Sequence, residues 1–117
     1  SMDTLELRDN SITDIGLLAA FASLNELDLS GTSITNFGPL ATCPSLHKLH
    51  LSNTLIADLG PLAACTDMHT LSLSQCTRIT DIGPLVACTS LHTLHLDRAI
   101  TMDLPLTMTD VMVWRSG

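Results

Sequence analysis

The sequence predicts an α/β solenoid, a one-dimensional stack of short coils in which each coil supplies a brief strand and a brief helical turn. One thirteen-residue phrase recurs as ITDIGLLAAFASL from Ile12, ITNFGPLATCPSL from Ile34, IADLGPLAACTDM from Ile56 and ITDIGPLVACTSL from Ile79. A second observation is a set of apolar columns at a fixed period, the signature of stacked supersecondary units rather than of a single folded layer. A third is the alternation inside each row, which has the period of two that a half-buried strand requires.

The strand comes first in each row. One apolar column reads Met2, Leu24, Leu46, Met68, Leu91 and Met112, with steps of 22, 22, 22, 23 and 21 residues. The next reads Leu5, Leu27, Leu49, Leu71 and Leu94, and the one after it Leu7, Leu29, Leu51, Leu73 and Leu96. In Leu27-Asp28-Leu29 and its equivalents both leucines point inward and the residue between them points out. A fourth column holds Asn10, Thr32, Thr54 and Cys76, and a fifth Ile12, Ile34, Ile56 and Ile79.

The turn follows. Glycine permits unusual φ, and Pro39, Pro61 and Pro84 preset the first position of a helical turn. Leu62, Ala63 and Cys65 are small or aliphatic at helical spacing and are expected to face the strands across a thin core. Asp14, Asn36, Asp58 and Asp81 stand just before each turn, where short polar side chains accept backbone N–H bonds; we read them as caps. No single coil can bury its apolar face alone, so the copies must stack, with strands about 4.8 Å apart.

At L-x-x-L-x-L-x-x-(N/T/C) each row resembles the leucine-rich-repeat family in its short form of about 22 residues. The resemblance extends over nearly the whole chain and includes bacterial internalins and regulatory subunits of phosphatases. It implies a right-handed arc with a parallel sheet on the concave side, short helical or 3-10 turns on the convex side, and protein binding through the concave face. In LSLSQCTRIT an extra residue between Cys76 and Ile79 gives the C-x-x-I-T-D form of cysteine-containing relatives, and a local bulge is expected there. The family uses the asparagine column to satisfy backbone groups of the adjoining coil, a task that falls here to Thr32, Thr54 and Cys76.

The expected organisation is one domain over residues 1–117, with coils near 2–23, 24–45, 46–67, 68–90 and 91–111 and a degenerate end at 112–117. Arg115 falls where a core leucine is due. Met102, Met108, Met112 and Trp114 are expected to plug that end, methionine being suited to irregular gaps. No comparable cover precedes Leu5, so the first strand is expected to be exposed, paired with another chain, or continuous with a longer array, with self-association through edge strands as a consequence.

Composition narrows the function. Of 117 residues 45% are hydrophobic and only 3% aromatic, so the core is aliphatic. Twelve acidic residues against five basic ones give a net charge of −7, which opposes the phosphate attraction behind nucleic-acid binding. No apolar stretch approaches the roughly 18 to 20 residues that span a bilayer, so no membrane insertion is expected. Met2 is followed by Asp3, Glu6, Arg8 and Asp9, which is no signal-peptide pattern. That absence, together with unpaired cysteines, favours the cytoplasm.

Cys43, Cys65 and Cys88 share a column with Phe21 and are expected to be reduced core residues; no C-x₂₋₄-C pair suggests zinc. His47, His69 and His92 share another column at the strand entrance, three parallel imidazoles unsuited to enclosing an ion. No nucleophile elbow, phosphate loop or HExxH helix is present, so neither enzymatic activity nor a cofactor is expected. Variation is confined to the outward strand columns: Thr4, Glu26, Lys48, Thr70, Thr93; Glu6, Asp28, His50, Ser72, His95; and Arg8, Ser30, Ser52, Ser74, Asp97. The expected function is a non-catalytic module that binds a protein partner through Glu6, Arg8, Glu26, Asp28, Lys48, His50, Ser72, His95 and Asp97. The alternative is a structural fragment of a longer repeat-containing surface antigen or adaptor.

Overall fold

A computed structural model describes residues 4–9, 11–21, 23–100 and 111–116. Six strands, β1 (Thr4–Glu6), β2 (Glu26–Asp28), β3 (Lys48–His50), β4 (Thr70–Leu73), β5 (Thr93–Asp97) and β6 (Met112–Ser116), form one sheet in sequence order, and every pair is parallel. Between them run 3-10 turns η1 (Gly16–Phe21), η2 (Gly38–Thr42), η3 (Gly60–Ala64) and η4 (Gly83–Ala87). The result is a solenoid of stacked coils with its parallel sheet on the concave side.

The register follows the sequence columns. Leu5, Leu27, Leu49, Leu71 and Leu94 are directly paired in succession, and Leu73 pairs with Leu96. Leu27, Leu49, Leu71 and Leu94 have no exposed surface. Each such side chain removes enough apolar area from water to contribute about 1.5–3 kcal/mol. Across the thin core they meet Leu40, Leu62 and Leu85 and the thiols of Cys43, Cys65 and Cys88, all buried, whereas Ala63 is only half-buried.

Each turn is built by one local device. The side-chain Oδ1 of Asp14, Asn36, Asp58 and Asp81 accepts the N–H of Gly16, Gly38, Gly60 and Gly83 at 2.8, 3.0, 2.8 and 2.8 Å. A Cβ on Gly38, Gly60 or Gly83 would lie only 3.1, 3.0 or 2.9 Å from that oxygen. Close approach, not unusual φ, therefore explains glycine at these positions. The prolines take the second position of each turn rather than the first. The left-handed conformation occurs instead at strand exits, at Asp9, Gly31, Asn53 and Gln75, spaced 22 residues apart.

Hydroxyl and thiol groups satisfy carbonyls inside the stack. Thr32 Oγ1 donates to Leu29 O at 2.7 Å and Thr54 Oγ1 to Leu51 O at 2.8 Å. These bonds stay within one coil, unlike the inter-coil role that the resemblance implies for the column. Cys76 Sγ does reach the preceding coil, donating to Leu51 O at 2.8 Å. The extra residue after Cys76 is absorbed in a turn, and the bridge between Asp58 and Asp81 shows the coils back in register.

The C-terminal end differs from expectation. Residues 112–116 form β6, and Met112 pairs with Thr93, not with the Leu91 column that the repeat step suggests. This two-residue shift lets Val113 pair with Leu94, and Val111 and Val113 pack on the core. Arg115 falls opposite Leu96, where its Nε donates to Ile100 O at 3.0 Å. Met112 and Trp114 do not plug the core: they alternate with Val113 and are 57% and 54% exposed. Met102 and Met108 lie outside the described residues.

All four cysteines are free and buried. Sγ of Cys43, Cys65 and Cys88 donates to Leu18 O, Leu40 O and Leu62 O of the preceding coil at 3.6, 3.5 and 3.4 Å. Burial raises all three thiols, and with the neighbouring Cys88 and Cys43 it pushes Cys65 up to about 12. Above pH 9.0 the unfolded chain ionises this thiol while the fold keeps it protonated, so stability present below pH 9 is lost as pH rises toward 12. Urea midpoints measured from pH 8 to 11 are expected to fall, and Cys65→Ala is expected to shallow that slope. Leu49→Ala, at a site with no exposed surface, is expected to cost about 2–5 kcal/mol in the same assay at pH 7.

Candidate interaction face

Because strand neighbours are paired one to one, the outward residues form continuous rows across the sheet. One row runs Thr4, Glu26, Lys48, Thr70, Thr93, Met112, and the next Glu6, Asp28, His50, Ser72, His95, Trp114. The sheet thus brings together Glu6, Glu26, Asp28, Lys48, His50, Ser72 and His95.

Acid concentrates on β1 and β2. His50 Nε2 lies 3.2 Å from Glu26 Oε2, with the two side chains 31% and 39% exposed. At that exposure the pair contributes at most about 1 kcal/mol. Asp28 Oδ1 accepts the Ser30 N–H at 3.0 Å, so this carboxylate also shapes its strand exit. Lys48 is exposed between these acids and the hydroxyls of β4. Ser52 and Ser72 hydroxyls bond each other at 2.7 Å, and Ser30 Oγ accepts the Ser52 N–H at 3.1 Å.

Two predicted contact residues sit apart from the others. Arg8 lies beyond the end of β1, exposed and 3.9 Å from Asp9 Oδ2. Asp97 is only 8% exposed, and its Oδ2 accepts the Ala99 N–H at 2.9 Å, a turn-forming role. Met112 and Trp114 are the residues that sequence reasoning missed on this face. The available signal was the alternation Met112, Val113, Trp114, which places Trp114 outward whenever Val113 is inward. Trp114 stacks on His95 with ring centroids 6.5 Å apart and planes at 17°.

The histidine column lies beside this face. His47 and His69 meet edge to face at 4.9 Å, and His69 stacks on His92 at 5.1 Å. His47 Nδ1 is 3.1 Å from Asn25 Oδ1. Among the described residues no three His, Cys, Asp or Glu side chains converge on a metal-sized point. No helix among those residues is long and apolar enough to cross a membrane.

Comparison with known proteins agrees with this geometry. The family model described as "Leucine Rich repeats (2 copies)" matches residues 1–42, 22–64 and 44–87. The chain belongs to the leucine-rich-repeat family, whose domains are generally non-catalytic and typically mediate protein–protein interaction. It is similar to internalin C2 from Listeria monocytogenes, with a TM-score of 0.86 and 30% identity over 97% of this chain and 51% of that one. This chain thus spans about half the length of that internalin. The leucine-rich-repeat ectodomain of the receptor kinase SOBIR1 from Arabidopsis thaliana shares the fold, with a TM-score of 0.65 and 14% identity over 97% of this chain and 67% of that one. So does the functional domain of InlJ from Listeria monocytogenes, which includes a cysteine ladder, with a TM-score of 0.60 and 17% identity over 97% and 29%. A search of curated proteins gives no significant match.

The division between exposed and turn-forming acids has a measurable consequence. Asp97→Ala is expected to lower stability by about 1–2 kcal/mol through loss of the charge-assisted turn bond to the Ala99 N–H. Glu26→Ala is expected to change it by no more than about 0.5–1 kcal/mol. Equal losses in urea unfolding would contradict the assignment.

Proposed function

We propose that this chain is a non-catalytic recognition module whose concave sheet binds a polypeptide partner through Glu6, Glu26, Asp28, Lys48, His50, Ser72 and His95. One observation carries the reading. The inward columns repeat leucine at nearly every coil, whereas the outward rows change chemistry from strand to strand on a surface held rigid by parallel pairing. A rigid surface of graded charge discriminates among partners by electrostatic complementarity and loses little conformational entropy on binding. The family's usual role supports the same conclusion.

The test is recovery of partners on immobilised protein, compared between the native chain and two double variants. Asp28→Asn with His50→Ala alters the concave face while keeping the Oδ1 acceptor that Ser30 needs. Asp67→Asn with Val86→Ala alters exposed positions off the sheet. Partner recovery is expected to fall about tenfold or more for the first and to stay unchanged for the second. Equal recovery on all three proteins would refute the choice of face.

A further inference from the structure

The sheet face is not uniform in apolarity. The large hydrophobic side chains most exposed among the described residues are Leu55, Val86, Met112 and Trp114. Leu55 and Val86 lie outside the strands, but Met112 and Trp114 are neighbours on the outward side of β6. Trp114 is the chain's one tryptophan, and the chain has no tyrosine. Its indole lies nearly parallel to the His95 ring on the neighbouring strand, with about half of the residue exposed. Aromatic side chains presented this way are the residues that most often dominate binding energy.

The opposite end of the same rows carries Glu6 on β1 and Glu26 and Asp28 on β2, with Lys48 next to them on β3. The chain's net charge of −7 adds a long-range field of the same sign. A second copy of this chain would bring that charge against itself, so charge complementarity favours a cationic occupant.

Resting on the recognition role proposed above, we infer that the concave face takes a basic, extended polypeptide segment. One apolar residue of the segment seats on Met112 and Trp114, while its Lys or Arg side chains lie over Glu6, Glu26 and Asp28. Four strand spacings separate β2 from β6, a span of roughly 19 Å at about 4.8 Å each. An extended segment advances about 3.3 Å per residue, so anchor and cations stand about six residues apart.

The test uses a phage-displayed library of random twelve-residue peptides selected on the full chain, followed by fluorescence anisotropy with synthetic copies of the selected peptides. Selected sequences are expected to combine an aromatic or long aliphatic residue with a Lys or Arg pair about six positions away. Trp114→Ala is expected to weaken them about tenfold or more and Trp114→Phe much less, with circular-dichroism melting of both variants showing the fold intact. Glu26→Gln with Asp28→Asn is expected to weaken binding and to flatten its dependence on salt.

Several results would overturn the inference. They are failure to select any peptide, selection of neutral or acidic peptides, unchanged binding by Trp114→Ala, or a dimer in light scattering that Trp114→Ala disperses. Neutral peptides that still lose affinity with Asp28→Asn and His50→Ala would overturn only the cationic chemistry and leave the concave reading standing. Peptides indifferent to every concave substitution would remove both.

Discussion

Each coil of this chain is too small to have an inside of its own, and it acquires one only when the next coil lies in register beneath it. Leu27 is buried because Leu49 is paired beside it, and Leu49 because Leu71 is. The constraint is geometric: the leucine columns must coincide while the backbone of each strand bonds to the next, as in Leu29 N to His50 O at 2.9 Å and Leu51 N to Ser72 O at 2.8 Å. A slip by one residue would turn every leucine of a strand outward. Nearest-neighbour coupling of this kind is what gives solenoids their stability.

The same constraint governs where irregularity is tolerated. The extra residue after Cys76 is taken up between strand and turn, and the pairing of Asp58 with Asp81 restores alignment before η4 begins. Polar groups inside the stack are handled locally. Threonine hydroxyls and cysteine thiols donate to leucine carbonyls, and a carboxylate or amide oxygen receives each turn's glycine N–H. Among the described residues no buried side-chain nitrogen or oxygen lacks a partner. Satisfied buried groups of this sort remove the desolvation penalty that would otherwise oppose stacking.

Function enters through what the constraint leaves unconstrained. Pairing holds the backbone of the outward rows in place but says nothing about their side chains. Acid, lysine, hydroxyl, imidazole and finally indole can therefore follow one another from β1 to β6 at no expense to the core. The polarity of the face, acidic at one end and apolar at the other, arises from residues far apart in sequence, Glu6 and Trp114 among them, brought onto one row by five parallel steps.

Much of this was legible before any coordinates. The 22-residue columns identify which leucines touch, which cysteines are buried and which Asp and Asn residues accept backbone N–H bonds at the turns, because stacking translates sequence period directly into spatial contact. Most of the outward rows follow from the alternation alone. Other features required the tertiary structure. Glycine in the G-P turns is favoured by the close approach of a carboxylate or amide oxygen, a distance that no propensity encodes. Asp97 occupies an outward column yet is buried, with its carboxylate bonded to the Ala99 N–H. The last strand is the clearest case. Its repeat step departs from 22, so period could not align it, and only packing decided that Val113 rather than Arg115 covers Leu94, which in turn set Trp114 beside His95 on the open face.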